Sequence, residues 1–145
     1  MDTNQLRRLL APVHGFKGVY SRDTLPKQVT YPCALICNTD QASGPGEHWV
    51  AMYIDSLGYG EYFDSYGILP LHKGMTNFMN HVCTYWKYNT QKLQGKNSRV
   101  CGHYCIVYLW CKAHGHSMDD MVKLYGPNLK QNDDLVKAYV EAAML

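Results

Sequence analysis

Leu6, Leu9 and Leu10 recur at helical spacing around Arg7 and Arg8, which predicts an amphipathic helix over residues 1–11, with Asp2 or Thr3 capping its first turn and Pro12 at its end. The periodicity then lapses. Residues 14–27 mix glycine, proline and charge, with Phe16, Val19, Tyr20 and Leu25 as anchors under an irregular connection, and predict no regular element. Residues 31–39 are almost wholly apolar, as expected of a buried central strand. A loop over residues 40–47 leads to a second strand over 48–55, and a turn at 57–60 with a third strand at 61–64 completes a hairpin.

Met75, Phe78, Met79 and Val82 have helical spacing within residues 70–87, and an extended stretch follows over 85–93. From Cys101 to Ala113 apolar residues lie all round the helical wheel, which marks a buried central helix stopped by Gly115. Ser117 with Asp119 and Asp120 starts a short helix ending at Gly126. Asn132 with Asp133 and Asp134 starts the last one, whose apolar face carries Leu135, Val136, Tyr139, Val140 and Ala143. There is no internal repeat or linker, and 145 residues fit one domain, 1–145.

Composition narrows the function less than the pattern does. A formal charge of +2, from 14 Lys and Arg against 12 Asp and Glu, is too small to mark a nucleic-acid binder, although a local patch can still make weak phosphate contacts. Six cysteines suffice for three disulfides, but a domain of this size can be held by its core and its N-terminus carries no secretory signal, so reduced thiols in the cytosol or nucleus are expected. No apolar run approaches the roughly 18 residues of a membrane span, and a soluble protein is expected.

Chemistry concentrates in Gln94-Gly95-Lys96-Asn97-Ser98-Arg99-Val100-Cys101, a polar loop running straight into a cysteine at a helix start. Unpaired N–H groups and the positive end of a helix dipole lower a thiol's pKa there, and the thiolate is the nucleophile. Thiol catalysis also needs an imidazole to carry the proton, a group to orient that imidazole, and donors for the oxyanion. His48 opens the second strand and Asp64 closes the third; antiparallel pairing brings those two ends to one edge, and Gln94 lies seven residues before Cys101. Taken singly, each has an ordinary reading: a buried thiol, a loop histidine, a strand-ending carboxylate, an exposed amide. Zinc binding through Cys101, Cys105, His114 and His116 fits poorly, because the histidines lie two to three turns along the same helix and there is no CxxC pair.

Together these residues resemble the adenovirus-type maturation proteases, or adenains, within the wider clan of proteases acting on ubiquitin-like modifiers. The likeness spans residues 16–110 and rests on Gly18-Val19-Tyr20, on Ala34-Leu35-Ile36-Cys37-Asn38-Thr39, on the glycine-rich loop before His48-Trp49, on Tyr62-Phe63-Asp64 with Tyr66-Gly67, and above all on Gln94 through Cys101-Gly102.

The resemblance implies an α+β, papain-like fold: a central, mainly antiparallel sheet packed against the buried helix that bears the nucleophile. It implies that Cys101 attacks a peptide carbonyl, that His48 is base and then acid, that Asp64 orients it, and that Gln94 and the Cys101 N–H form the oxyanion hole. Trp49 would line a groove accepting glycine-containing sequences in viral or virus-like precursor proteins. No cofactor is needed for such chemistry. A short activating peptide, disulfide-linked through Cys83, and DNA are the modulators that the adenoviral likeness adds, beside the plainer reading of Cys83 as a thiol on an amphipathic helix. A monomeric, intracellular polypeptide hydrolase is expected. Asp64 stands where adenoviral enzymes carry Glu and the proteases of ubiquitin-like modifiers commonly carry Asp, and little chain follows the nucleophile helix, which points to a compact relative from another DNA virus or a virus-like transposon. Two other readings keep the same residues: a deconjugating protease for a ubiquitin-like modifier, and a silent peptide- or DNA-binding module.

Overall fold

A computed structural model describes all of residues 1–145, and its centre is one five-stranded sheet in the order β1-β2-β3-β4-β5. The strands are β1 (Phe16–Ser21), β2 (Cys33–Asn38), β3 (Trp49–Ile54), β4 (Tyr59–Phe63) and β5 (Tyr85–Tyr88). The pairs β2–β3 and β3–β4 are antiparallel, whereas both edge pairs, β1–β2 and β4–β5, are parallel. The sheet is therefore antiparallel at its centre and mixed overall, a feature that apolar alternation does not encode because it is the same for either strand direction.

Five helices complete the fold: α1 (Thr3–Leu10), α2 (Lys73–Val82), α3 (Cys101–Ala113), α4 (Met118–Val122) and α5 (Leu129–Ala143). The side-chain period of two decides how they pack. Ala34, Ile36, Ala51 and Phe63 face a core shared with α1, α3, α4 and α5, while Cys33, Leu35, Val50, Met52 and Tyr62 face α2 through Met75, Phe78 and Met79. Every residue of β2 is buried because helices cover both faces. The helix α3 lies in the larger core, with Tyr104, Cys105, Ile106, Tyr108 and Leu109 inaccessible to solvent. None of the helices is long and apolar enough to cross a membrane.

The differences from the sequence expectations have local causes. Residues 16–21 form β1, where no element is expected, because it is a half-buried edge strand whose register slips between Phe16 and Gly18 and so breaks the alternation. The expected extended stretch over 85–93 keeps strand geometry only to Tyr88. The last helix starts at Leu129 under an Asn128 cap that accepts from the Gln131 N–H, three residues before the expected start. Asn132 and Asp133 are not caps; they point inward. Cys83 lies one residue past α2, its N–H bonded to the Met79 carbonyl.

Candidate active site

The hairpin and the helix start converge as their periodicities require. The loop before β3 ends at His48, the chain leaves β4 at Asp64, and His48 Nε2 meets Asp64 Oδ1 at 2.8 Å with both side chains largely buried. The same Oδ1 accepts the Tyr66 N–H at 2.8 Å, and the Asp64 carbonyl accepts the Gly67 N–H at 2.8 Å, so a tight turn fixes the carboxylate. Gly67 is required there: its φ is +70°, and a Cβ would come within 2.7 Å of the Gln91 backbone. Asn89 clamps the strand end from the far side, accepting the Asp64 N–H at 2.9 Å and donating to the Asp64 carbonyl at 2.6 Å.

The loop that presents His48 is folded around two buried side chains. Asn38 Oδ1 accepts the N–H groups of Asp40 and Glu47, and the Asp40 carboxylate accepts those of Gln41 and Gly46. These four bonds replace a regular ladder in residues 40–47, which read from sequence only as an exposed loop.

Cys101 is the first residue of α3, and no side chain caps that helix. Its own N–H donates to no group of the protein, and the sulfur accepts the Trp49 N–H at 3.4 Å. With Nε2 committed to Asp64, Nδ1 is the ring nitrogen of His48 left for the thiol. Burial disfavours the thiolate, but hydrogen bonds from His48 and from the Trp49 and Gly102 N–H groups, with the imidazolium charge, outweigh it and hold the Cys101 pKa below the ordinary thiol value. Burial likewise opposes charge on His48, yet Asp64 and Cys101, by hydrogen bonding and by charge, raise it to about 9. The two shifts run in opposite directions, each favouring the charged form of its group.

Gln94 is 1% exposed, not the solvent amide that composition alone suggests. Its Nε2 donates to the Ser98 carbonyl at 3.1 Å and its Oε1 accepts from the Ser65 hydroxyl at 2.6 Å. A carbonyl only accepts, so the amide orientation is determined, and one Nε2 proton stays free. The loop bearing it is pinned on three sides. Leu93 and Gln94 N–H groups donate to the Ser65 carbonyl, the Leu93 carbonyl accepts from Tyr104 and Asn132, and the Gly95 N–H is 3.3 Å from each Asp133 carboxylate oxygen. Asp133 in turn accepts the Tyr104 hydroxyl at 2.8 Å.

His48, Trp49, Gln94, Ser98, Arg99 and Cys101 line one cleft of about 760 Å³, together with the N-terminal residues, Gly46, Glu47 and Tyr66. The Trp49 indole is tethered by a 3.3 Å bond to the Met1 carbonyl. Tyr66, which sequence reasoning gave no role of its own, stacks on the His48 ring with centroids 4.9 Å apart and an interplanar angle of 29°. Its place two residues after Asp64 in a Tyr-Gly turn was the available signal. Cys83 is elsewhere: it packs on the α2 side of the sheet, where its sulfur fills the space beside Gly60, and burial raises its thiol to about 11. No three His, Cys, Asp or Glu side chains gather to hold a metal ion. Chemically, the cleft gathers a thiol, an imidazole oriented by a carboxylate, and two N–H donors without a protein acceptor, the residue types that acyl transfer needs.

No protein-family model matches the chain. It is similar to a cysteine protease of African swine fever virus, with 39% identity over 61 residues that cover 38% of this chain and 22% of that protein. It is also similar to the protease of bovine adenovirus 4, with 27% identity over 154 aligned positions covering 90% of this chain and 77% of that protein. Among solved structures, the African swine fever virus protease superposes with a TM-score of 0.53 at 23% identity, over 74% of this chain and 45% of that one. ChlaDub1 from Chlamydia trachomatis gives a TM-score of 0.53 at 15% identity over 77% and 58% of the two chains, and the central domain of an uncharacterized Legionella pneumophila protein gives 0.52 at 15% over 98% and 97%. The chain thus spans about a fifth of the African swine fever virus protein and most of the adenoviral one. In sequence the chain is thus similar to viral proteases, and it shares its fold with the African swine fever virus protease and ChlaDub1.

Proposed function

We propose that the chain is a cysteine endopeptidase that cleaves glycine-containing sites in viral or virus-like structural precursors through a Cys101–His48–Asp64 triad. The observation that carries this is a convergence: His48 bonds Asp64 at 2.8 Å and lines the same cleft as Cys101, which stands at the uncapped start of α3 and accepts the Trp49 N–H. In this reading the Cys101 thiolate attacks the scissile carbonyl, and the oxyanion is met by the free Gln94 Nε2 proton and the Cys101 N–H. The His48 imidazolium then protonates the departing amine, leaving an acyl thioester and a neutral ring. Water, deprotonated by that ring, hydrolyses the thioester. Trp49 bounds the groove where an extended peptide containing glycine passes between the indole and the loop at Gly46.

The test is incubation of the wild-type chain and of Cys101→Ala with candidate precursor proteins, with the new N-termini sequenced. Cuts after glycine-containing sequences that depend on Cys101 support the reading, and their absence overturns it. A ubiquitin-like modifier carrying a C-terminal electrophile is the discriminating arm: its capture by Cys101, without precursor cleavage, would move the substrate to such a modifier. The viral relatives suggest an intracellular setting, with the host nucleus or cytosol and the virion as the compartments proposed. An activating peptide and DNA are the modulators proposed from the adenoviral likeness. Cys83 would need its packing against Gly60 to loosen before it could pair with a peptide thiol, and turnover with and without duplex DNA tests the second.

A further inference from the structure

A second depression opens on the far side of His48 from Cys101. It encloses about 210 Å³ and is lined by Tyr62, Asp64, Tyr66, Ile68, Leu69, Leu71 and Met75, with Thr39, Glu47, His48 and His72 completing the wall. Its floor is the edge of the core, since Tyr62 and Met75 are each only 1% exposed. Its rim is unusual for a protein surface: Ile68, Leu69 and Leu71 are 43%, 50% and 73% exposed within four residues of one another. A clustered apolar patch of this kind marks a contact site rather than incidental exposure.

The rim is held in place. Behind it the Asp64–Gly67 turn closes, and ahead of it Arg22 Nη1 contacts both the His72 ring at 3.2 Å and the Thr39 carbonyl at 3.1 Å. Glu47, His48 and Tyr66 line this depression and the catalytic cleft alike, so these residues form the boundary between the two. Cys101 and Gln94 belong to the cleft alone.

That asymmetry sets a direction, granted the protease reading above. The carbonyl side of the scissile bond must sit over Cys101 and the oxyanion donors, whereas the leaving amine must face the ring that gives it a proton. The chain attached to that amine then leaves the cleft across His48 and Tyr66. We propose that this depression is the subsite for the leaving-group segment of the substrate, and that it selects a leucine, isoleucine, methionine or phenylalanine at the first or second position after the cut. Asp64 and His48 are shielded from water when that side chain is seated, which couples recognition of the leaving segment to the proton transfer it needs.

The experiment is cleavage of an amine-blocked peptide library prepared from a digested proteome, in which every new N-terminus reads directly the residues downstream of a cut. Cys101→Ala gives the background. The expected result is enrichment of large apolar residues at the first or second downstream position, with the apolar-over-Asp preference at that position falling about tenfold in Leu71→Asp and in Ile68→Asp. The readout is a ratio between positions within one digest, so loss of overall rate does not imitate it, and thermal melting of each variant checks its fold. Cleavage with no downstream apolar preference, or with a preference that persists in both variants, overturns the subsite while leaving the protease reading intact. No cleavage dependent on Cys101 overturns both.

Discussion

The Ser65 hydroxyl donates a 2.6 Å hydrogen bond to Oε1 of Gln94, and this contact fixes which way round the amide sits beside the cleft that Gln94 lines. Ser65 is wholly buried, and it holds Gln94 twice, since its carbonyl also accepts the Gln94 N–H at 3.1 Å. Gln94→Ala should lower kcat by about 100- to 1,000-fold, as expected for loss of one oxyanion donor. It should also lower the melting temperature, because the Ser65 hydroxyl and Ser98 carbonyl lose their partner at a cost of about 1–3 kcal/mol. Steady-state kinetics beside thermal melting separate the two effects, and unchanged kcat would remove Gln94 from the mechanism.

The paired shifts of Cys101 and His48 set the pH dependence. The thiolate forms above the lowered Cys101 pKa, and the imidazolium persists until the pH passes about 9. Iodoacetamide should therefore alkylate Cys101 at pH values where ordinary thiols are protonated, and much faster than the other five cysteines. Turnover should rise through the Cys101 pKa and fall above about pH 9, where His48 loses the proton that the leaving amine requires. In His48→Ala the early alkylation should disappear. Uniform labelling of all six cysteines across the pH range would refute the ion pair.

Tyr66 covers one face of the His48 ring, and its backbone N–H shares the Asp64 oxygen that His48 uses. Tyr66→Phe keeps the stack and should retain near-wild-type kcat. Tyr66→Leu should lose up to about tenfold, the size of an aromatic pair beyond its burial, and should move the alkaline limb of the pH profile. Equal behaviour of the two variants would reduce the ring to packing.

Asp133 reaches from α5 to the Gly95 N–H and the Tyr104 hydroxyl. Asp133→Ala removes the acceptor of the Gly95 N–H and leaves the Tyr104 hydroxyl only the Leu93 carbonyl, and should destabilise the fold by about 1–3 kcal/mol. The strain falls on the loop before Cys101, so kcat should fall more than KM rises. Chemical denaturation and single-turnover acylation measure the two consequences.

Much of this site was legible in the chain because its signals are local. An apolar helix beginning at a cysteine, a strand opening at a histidine and the next closing at an aspartate are short-range patterns, and antiparallel pairing turns the last two into neighbours. Other features were invisible for the opposite reason. Asn132 and Asp133 look like helix caps by type, but they satisfy groups about forty residues away, at Leu93 and Gly95. Gln94 has no sequence mark of burial, yet its surroundings remove it from solvent. The strand β1 carries too few alternating positions to announce itself and exists because β2 offers it an unpaired edge.

What the sequence determined by itself was which residues are candidates for the chemistry and which local elements present them, since periodicity, turn residues and the helix start depend on near neighbours. What only the tertiary structure decided was strand direction at the sheet's edges, the stack of Tyr66 on His48, the aim of the Gln94 amide, and the apolar depression behind the imidazole. Each of these depends on hydrogen bonds or packing between segments far apart in the chain, whose partners no local pattern names.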